Sequence, residues 1–424
     1  IEGADSANNT AVTLTITTGI LDNSDGQLVN LAGDLAIDTQ GQALNNQRGT
    51  IQSSNDLELT NSGALTNTDG TLLATGAISA TVDALDNTRG LVQASEDTTL
   101  DSQGRVTNAD TRISGGIVTQ GKLTLDASEL DNQQGYIASG NDQQLTLSST
   151  LNNTSGEILS TQALTLSAAH IENGAGSIKA HGLTDVTTDT FNNQQGGLNT
   201  EGQLTLQTKA LDNTGGTLSA NGDFTLTSEA NQLAGAISSQ QDLTINITGD
   251  LNNSAALSAQ QAMVFSADGI THSSSGTLFS GDSITVNGDS LVNQSEITSA
   301  RVELNLTGEF TNESTGLIDA TNTTISAAQL DNNGRIYGDE ISLSSRLINN
   351  LKDAVIAARN YLGISTDTLE NSDGAMLYSV GNLDIEGQTS GTRASRVANG
   401  SSLIEADGNI RIAADVLENT NSKL

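Results

Sequence analysis

A side-chain amide returns along this chain of 424 residues, two positions after a hydrophobic residue and about every twenty residues. It is Asn23, Asn46, Asn67, Asn87, Asn108, Asn132, Asn153, Asn173, Asn193, Asn213, Asn253, Asn293, Asn312, Asn332, Asn349, Asn371 and Asn419. An amide carries donor and acceptor on one planar group. A row of them could hold a polar ligand, or each could donate to the next and accept from the last, as in the Asn ladders of cross-β stacks. The second arrangement satisfies a polar group buried at a corner, and it is the one expected here. Three residues after many of these Asn stands a Gly (Gly26, Gly49, Gly70, Gly90, Gly135, Gly156, Gly216). These are expected to supply the positive φ of a turn. No G-x-x-x-x-G-K-[ST] occurs, so they are not a phosphate loop. Two copies interrupt the row, at Gln232 and His272.

Other reactive side chains do not converge. The three His are His170, His181 and His272, and no G-x-S-x-G elbow accompanies them. There is no Cys, so neither a thiol nucleophile nor a Cys zinc site is available. A polysaccharide hydrolase needs clustered carboxylates, often with basic residues and aromatic platforms. Between Leu211 and Ala300 there is no Lys or Arg, and the aromatics are Phe224, Phe265 and Phe279. No calcium-loop motif appears. The chain therefore reads as non-enzymatic, with no cofactor and no metal. A net charge of −34 opposes nucleic acid and anionic membranes as partners. No apolar run is long enough for a membrane helix, so no membrane insertion of this segment is expected. The opening IEGADSANNT has no basic region and no apolar core, unlike a signal peptide.

The elements that carry these Asn follow from the repeat. The unit is Φ-x-N-x-x-G-x-Φ-x-[AS]-x-x-x-Φ-x-Φ, where Φ is mostly Leu or Ile. Within it apolar residues alternate. Leu218, Ala220, Phe224 and Leu226 face one way, and Thr217, Ser219, Thr225 and Thr227 the other. Period two means strand. The intervening Gly, Asn, Asp and Ser are turn formers. The chain has no Pro at all, which suits paired strands, because Pro cannot donate to a ladder. The fold class is all-β: a parallel β-helix of about twenty coils, each of roughly 20 residues. It is expected to be right-handed, by the crossover rule. At about 4.8 Å per coil, twenty coils make a rod on the order of 95 Å long.

Residues 1–346 read as the regular repeat, and 347–424 as continuing coils with longer loops. Nine of the 16 basic residues and three of the four Tyr (Tyr337, Tyr361, Tyr378) lie beyond residue 300. The polar loop GQTSGTRASRVANG, Gly387 to Gly400, bears Arg393 and Arg396 and is the candidate binding loop.

The repeats LDNTGGTLSANGDFTLTS and LNNTSGEILSTQALTLSA resemble the hemagglutinin repeats of filamentous hemagglutinins. The exoproteins of bacterial contact-dependent growth inhibition share these repeats. The runs GRIYGDEISL, AVIAARNYLGIST, LENSDGAMLYSVGNLDI and SLIEADGNIRIAADVLENTN resemble the end of the first repeat block in such exoproteins. The resemblance implies two-partner secretion through an outer-membrane transporter. It implies folding outside the cell into a right-handed β-helical filament, secreted or held at the bacterial surface. It also implies a target-cell receptor, met through regions outside this segment. The family's N-P-N secretion motif and its V-E-N-N junction do not occur here, so an interior stretch of a larger exoprotein is expected. The role implied is a shaft that projects a receptor-binding tip or a toxin. A second reading is a direct adhesin using Arg393 and Arg396 or the Tyr337–Tyr378 coils.

Overall fold

The computed structural model describes residues 2–3, 12–113 and 115–424. Most of IEGADSANNT therefore lies outside the described residues. The chain divides into two compact units, one ending at Asn221 and one beginning at Gly222. Each is a parallel β-solenoid, and no helix occurs among the described residues.

In the first unit a coil has three strand segments. The first follows the Asn turn, as in Glu157–Ser160, Ser177–Ala180 and Gly197–Thr200. The second and third lead back to the next Asn. They are separate in some coils, as at Gln143–Leu147 and Thr150–Asn152. Elsewhere they merge into one strand, as in Leu164–Glu172 and Thr184–Asn192. Each segment pairs in parallel with its equivalent one coil on. Ile158 registers with Ile178, and Ile178 with Leu198. On the third segment Ile171 registers with Phe191. Like residues thus stack in columns, and alternation turns one column of each pair inward. Ile137, Ile158, Ile178, Leu198 and Leu218 are completely buried. These columns are the core, which is mainly aliphatic and in this unit also buries Phe191.

The second unit repeats the plan with longer continuous strands: Leu317–Asn332, Arg335–Asn350 and Val355–Ser372. Its core columns include Ile297, Ile318, Ile336, Ile356 and Leu377, in register coil by coil and all fully buried.

One core column of the first unit is flawed. Thr98, Leu123, Gln143, Leu164 and Thr184 follow one another in register. Gln143 is 1 % exposed, and neither end of its amide has a partner. The hydroxyls of Thr98 and Thr184 are likewise buried without partners. A buried polar group without a bond retains its desolvation cost of about 1–3 kcal/mol. Gln143→Leu continues the Leu123 and Leu164 column and is expected to stabilise the unit by about 1–2 kcal/mol. The check is the urea midpoint at unchanged m-value. A midpoint equal to or below that of the parent contradicts this account of the column.

Candidate functional site

The recurring amides meet at one corner. In the first unit the Nδ2 of each Asn donates to the Oδ1 of the next from Asn23 to Asn213, through Asn46, Asn67, Asn87, Asn108, Asn132, Asn153, Asn173 and Asn193. The distances lie between 2.6 and 2.8 Å. The second amide proton is also used. Asn46 donates to the Thr71 carbonyl at 3.1 Å, Asn173 to that of Gly197 and Asn193 to that of Thr217, each at 3.2 Å. From Asn46 onward these side chains are buried. Buried amides whose protons are spent in this way present no group to a ligand at the surface.

The turn beside each Asn has a definite logic. The Gly three residues on donates its backbone N–H to the Asn carbonyl, as Gly156 does to Asn153 at 3.0 Å. The positive φ expected at that Gly lies one residue earlier. Asp25, Arg48, Asp69, Arg89, Gln134, Ser155, Ala175 and Gln195 have φ between 51° and 56°. A turn with φ > 0 at its third residue has the type II pattern, in which Gly or Asn usually takes that place. The following position is Gly for lack of room. A Cβ on Gly156 would lie 2.2 Å from the Asn132 carbonyl oxygen and 2.6 Å from Asn153 Oδ1. The glycine requirement thus comes from the stacked corner itself and not from backbone conformation.

Outside this corner the positive-φ residues form a row of their own. Arg48 makes two 2.7 Å bonds to Asp25, and Arg89 does the same to Asp69 at 2.8 and 2.9 Å. The guanidinium hydrogen bonds hold both carboxyls below the usual carboxylate range. These pairs are well exposed, so solvent screening leaves them a small share of stability.

In the second unit the row runs Asn293, Asn312, Asn332, Asn350, Asn371, Asn399 and Asn419, with links of 2.7 to 2.9 Å. Here the sequence assignment needs correction. The buried rung is Asn350; Asn349 is half-buried on the outer side and donates to Asp331 Oδ1 at 2.7 Å. Adjacent residues of a strand face opposite ways, so one place in register exchanges them. Leu347 and Ile348 both precede an Asn by two, and pairing with Leu330 selects Ile348. Asn399, omitted from the sequence-based set, is also a rung, and Asn419 accepts its bond in an exposed position. The degenerate copy is corrected too. Leu233 registers with Asn253 and is fully buried, while Gln232 is exposed.

His272 occupies the ladder column between Asn253 and Asn293 and is fully buried. Its Nδ1 lies 3.2 Å from Asn253 Nδ2 and its Nε2 lies 3.2 Å from the Glu296 carbonyl oxygen. Asn253 Oδ1 is occupied by the Ala255 N–H, so its Nδ2 faces the ring. Nδ1 must accept and Nε2–H must donate, which makes the imidazole neutral. Burial pushes its pKa below the ordinary histidine value, against the raising effect of its backbone hydrogen bonds. His170 and His181 are exposed, with His170 bonded to Thr190 at 2.8 Å. Among the described residues no group of three or more His, Asp or Glu is placed to hold a metal ion.

The candidate binding loop is partly occupied. Arg396 lies on the strand Ala394–Gly400, between two carboxylates: Glu418 at 2.8 Å and Glu370 at 3.6 Å. Arg393, at the loop's end, is more exposed and lies 3.7 Å from Asp415. The tyrosines do not gather into one cluster. Tyr337, Ala357 and Tyr378 share one outward column, Tyr361 another. The Tyr361 and Tyr378 hydroxyls donate to Asp384 and Asp407. An open cleft of about 330 Å³ beside Tyr337 is lined also by Asp319, Thr321, Asp339 and Arg359.

No curated protein and no solved structure matches this chain. A family model described as the haemagglutinin repeat matches residues 3–42, 30–110, 103–155, 138–195, 180–234 and 227–346 in overlapping segments. Those matches span most of the chain and follow the coils that carry the amide ladder, so the chain belongs to the haemagglutinin-repeat family.

Proposed function

We propose that these coils are part of the shaft of a secreted bacterial exoprotein, exported by two-partner secretion. The shaft holds a receptor-binding tip or a toxin away from the surface for adhesion or interbacterial competition. The observation that carries this reading is the closed internal bonding of the repeat. The conspicuous recurring polar group is spent on linking coil to coil, and among the described residues no three His, Asp or Glu gather to hold a metal ion. Such a segment works by length and stiffness, and each coil is an exchangeable unit.

Exchangeability gives the test. Gly197 registers with Ser177, so deleting residues 177–196 removes one whole coil and leaves the columns aligned. The exoprotein carrying that deletion is expected to be secreted and to act on its target cells as the parent does. Deleting residues 177–186 places core residues out of register and is expected to abolish folding. If the whole-coil deletion also abolishes target-cell activity while the chain still folds, the segment has a specific role and the shaft reading fails.

The adhesin reading puts a receptor contact on Arg393 and Arg396. The neutralisation of Arg396 by Glu370 and Glu418 weighs against it. Residues 12–424 alone are expected not to bind target cells. Saturable binding that is lost in Arg393→Ala/Arg396→Ala would favour the adhesin instead.

A further inference from the structure

His272 is the only histidine placed inside the amide corner, and its two ring bonds tie three successive coils together. Nδ1 receives the Asn253 amide from the coil before, and Nε2 donates to the Glu296 carbonyl in the coil after. An Asn at this place could accept and donate at any pH between about 5 and 8, because amides do not titrate there. Imidazole cannot. A proton on Nδ1 turns the acceptor into a donor pointed at the Asn253 amide, and Asn253 Oδ1 is held by the Ala255 N–H. We propose that His272 is an acid-operated release in the second unit: protonation of Nδ1 breaks the Asn253–His272 rung and opens the coils around it locally.

Three carboxylates on the packed elements are bonded to other groups. Asp250 accepts from the Gly269 N–H, Asp289 from the Thr307 hydroxyl, and Glu296 from the Thr298 hydroxyl on the outer face. Asp268 precedes the strand Gly269–His272, and Arg301 and Glu303 lie further along Glu296–Leu306. Burial disfavours the cation, and the bonds at Glu296 and Asn253 offset part of that.

The sign follows from the neutral folded form. A histidine whose folded pKa is depressed lends stability above its unfolded value of about 6.5 and loses it as pH falls through the folded pKa. Within that window each pH unit raises the local opening equilibrium by up to about tenfold.

The test is amide hydrogen exchange on the 424-residue chain at pH 7.5 and 5.5, corrected for the intrinsic pH dependence of exchange. In the parent, peptides covering 251–253, 269–272 and 290–297 are expected to lose protection at pH 5.5. In His272→Asn, which can continue the ladder from Asn253 towards Asn293, the same peptides should keep it. If both proteins respond alike, or neither responds, the proposal is wrong. The His272 ring nitrogens, followed by nitrogen-15 NMR, supply a second readout that does not depend on the variant. A ring that titrates at or above pH 6.5 in the folded protein overturns the proposal.

Discussion

Asn153→Asp is expected to destabilise the first unit by about 3–5 kcal/mol at pH 7. The change replaces one nitrogen by oxygen and leaves the shape of the side chain intact. The acceptor role survives, since Asn132 Nδ2 still has an oxygen 2.7 Å away. The donor role is lost. The new oxygen faces Asn173 Oδ1 and the carbonyls of Gly156 and Ser177, all acceptors that the Asn153 amide now serves. A fully buried carboxylate surrounded by acceptors has its pKa raised by desolvation and by those dipoles. Its damage is therefore greatest at high pH. It eases as pH falls through the raised folded value, because a protonated carboxyl can again donate to Asn173 Oδ1. The parent responds in the opposite sense to acid. Its Asp25, Asp34 and Asp69 are held below the usual range by hydrogen-bond donors and lose that stabilisation as they protonate. Urea denaturation of both proteins at pH 7 and pH 4 should show the gap between them narrowing in acid. A gap that stays constant would mean that donation to Asn173 contributes nothing. Asn153→Ala removes both roles without adding charge and should cost about 2–4 kcal/mol at either pH.

Gly176→Ala is the second large effect, expected to cost about 3 kcal/mol or more. Its Cβ would lie 2.1 Å from the Asn153 carbonyl oxygen and 2.5 Å from Asn173 Oδ1. The first accepts the Gly156 N–H of its own turn and the second accepts the Asn153 amide, so neither group can withdraw without losing a hydrogen bond. The preceding residue makes the contrast. Ala175 sits at φ 53°, where an L side chain is strained by about 1 kcal/mol. Ala175→Gly relieves that strain at the expense of a more flexible unfolded chain and should change stability by less than about 1 kcal/mol. A thermal melt of the two single variants separates the explanations. If Ala175→Gly and Gly176→Ala behaved alike, close approach would not be the reason for the glycine.

Much of the fold was legible because a solenoid writes its tertiary structure into a local period. Alternation of Leu218 and Ala220 with Thr217 and Ser219 marks the two faces of a strand. Recurrence after about twenty residues marks a coil, since a column needs its like partner at every level. The absence of Pro and the scarcity of aromatics fit a narrow aliphatic core of paired strands. The corner was legible in part. A single Asn two places after a Leu, as Asn213 stands after Leu211, leaves one choice of face. Two Asn in tandem beside Leu347 and Ile348 leave two, and local pattern cannot choose between them.

Sequence by itself therefore determined the class of fold, the length of the coil and the column of amides at one corner, because each depends on residues near one another in the chain. Three matters were decided only when coils were stacked. Asn350 and not Asn349 is the rung, because pairing with the coil of Leu330 sets the register. Gly156 and Gly176 are glycine because the preceding coil's carbonyl oxygen occupies the space a Cβ would need. His272 is neutral and bonded on both sides because Asn253 and Glu296, 19 residues before and 24 residues after it, meet it across the stack. In each case the deciding partner lies about one coil away, and stacking alone brings it within bonding distance.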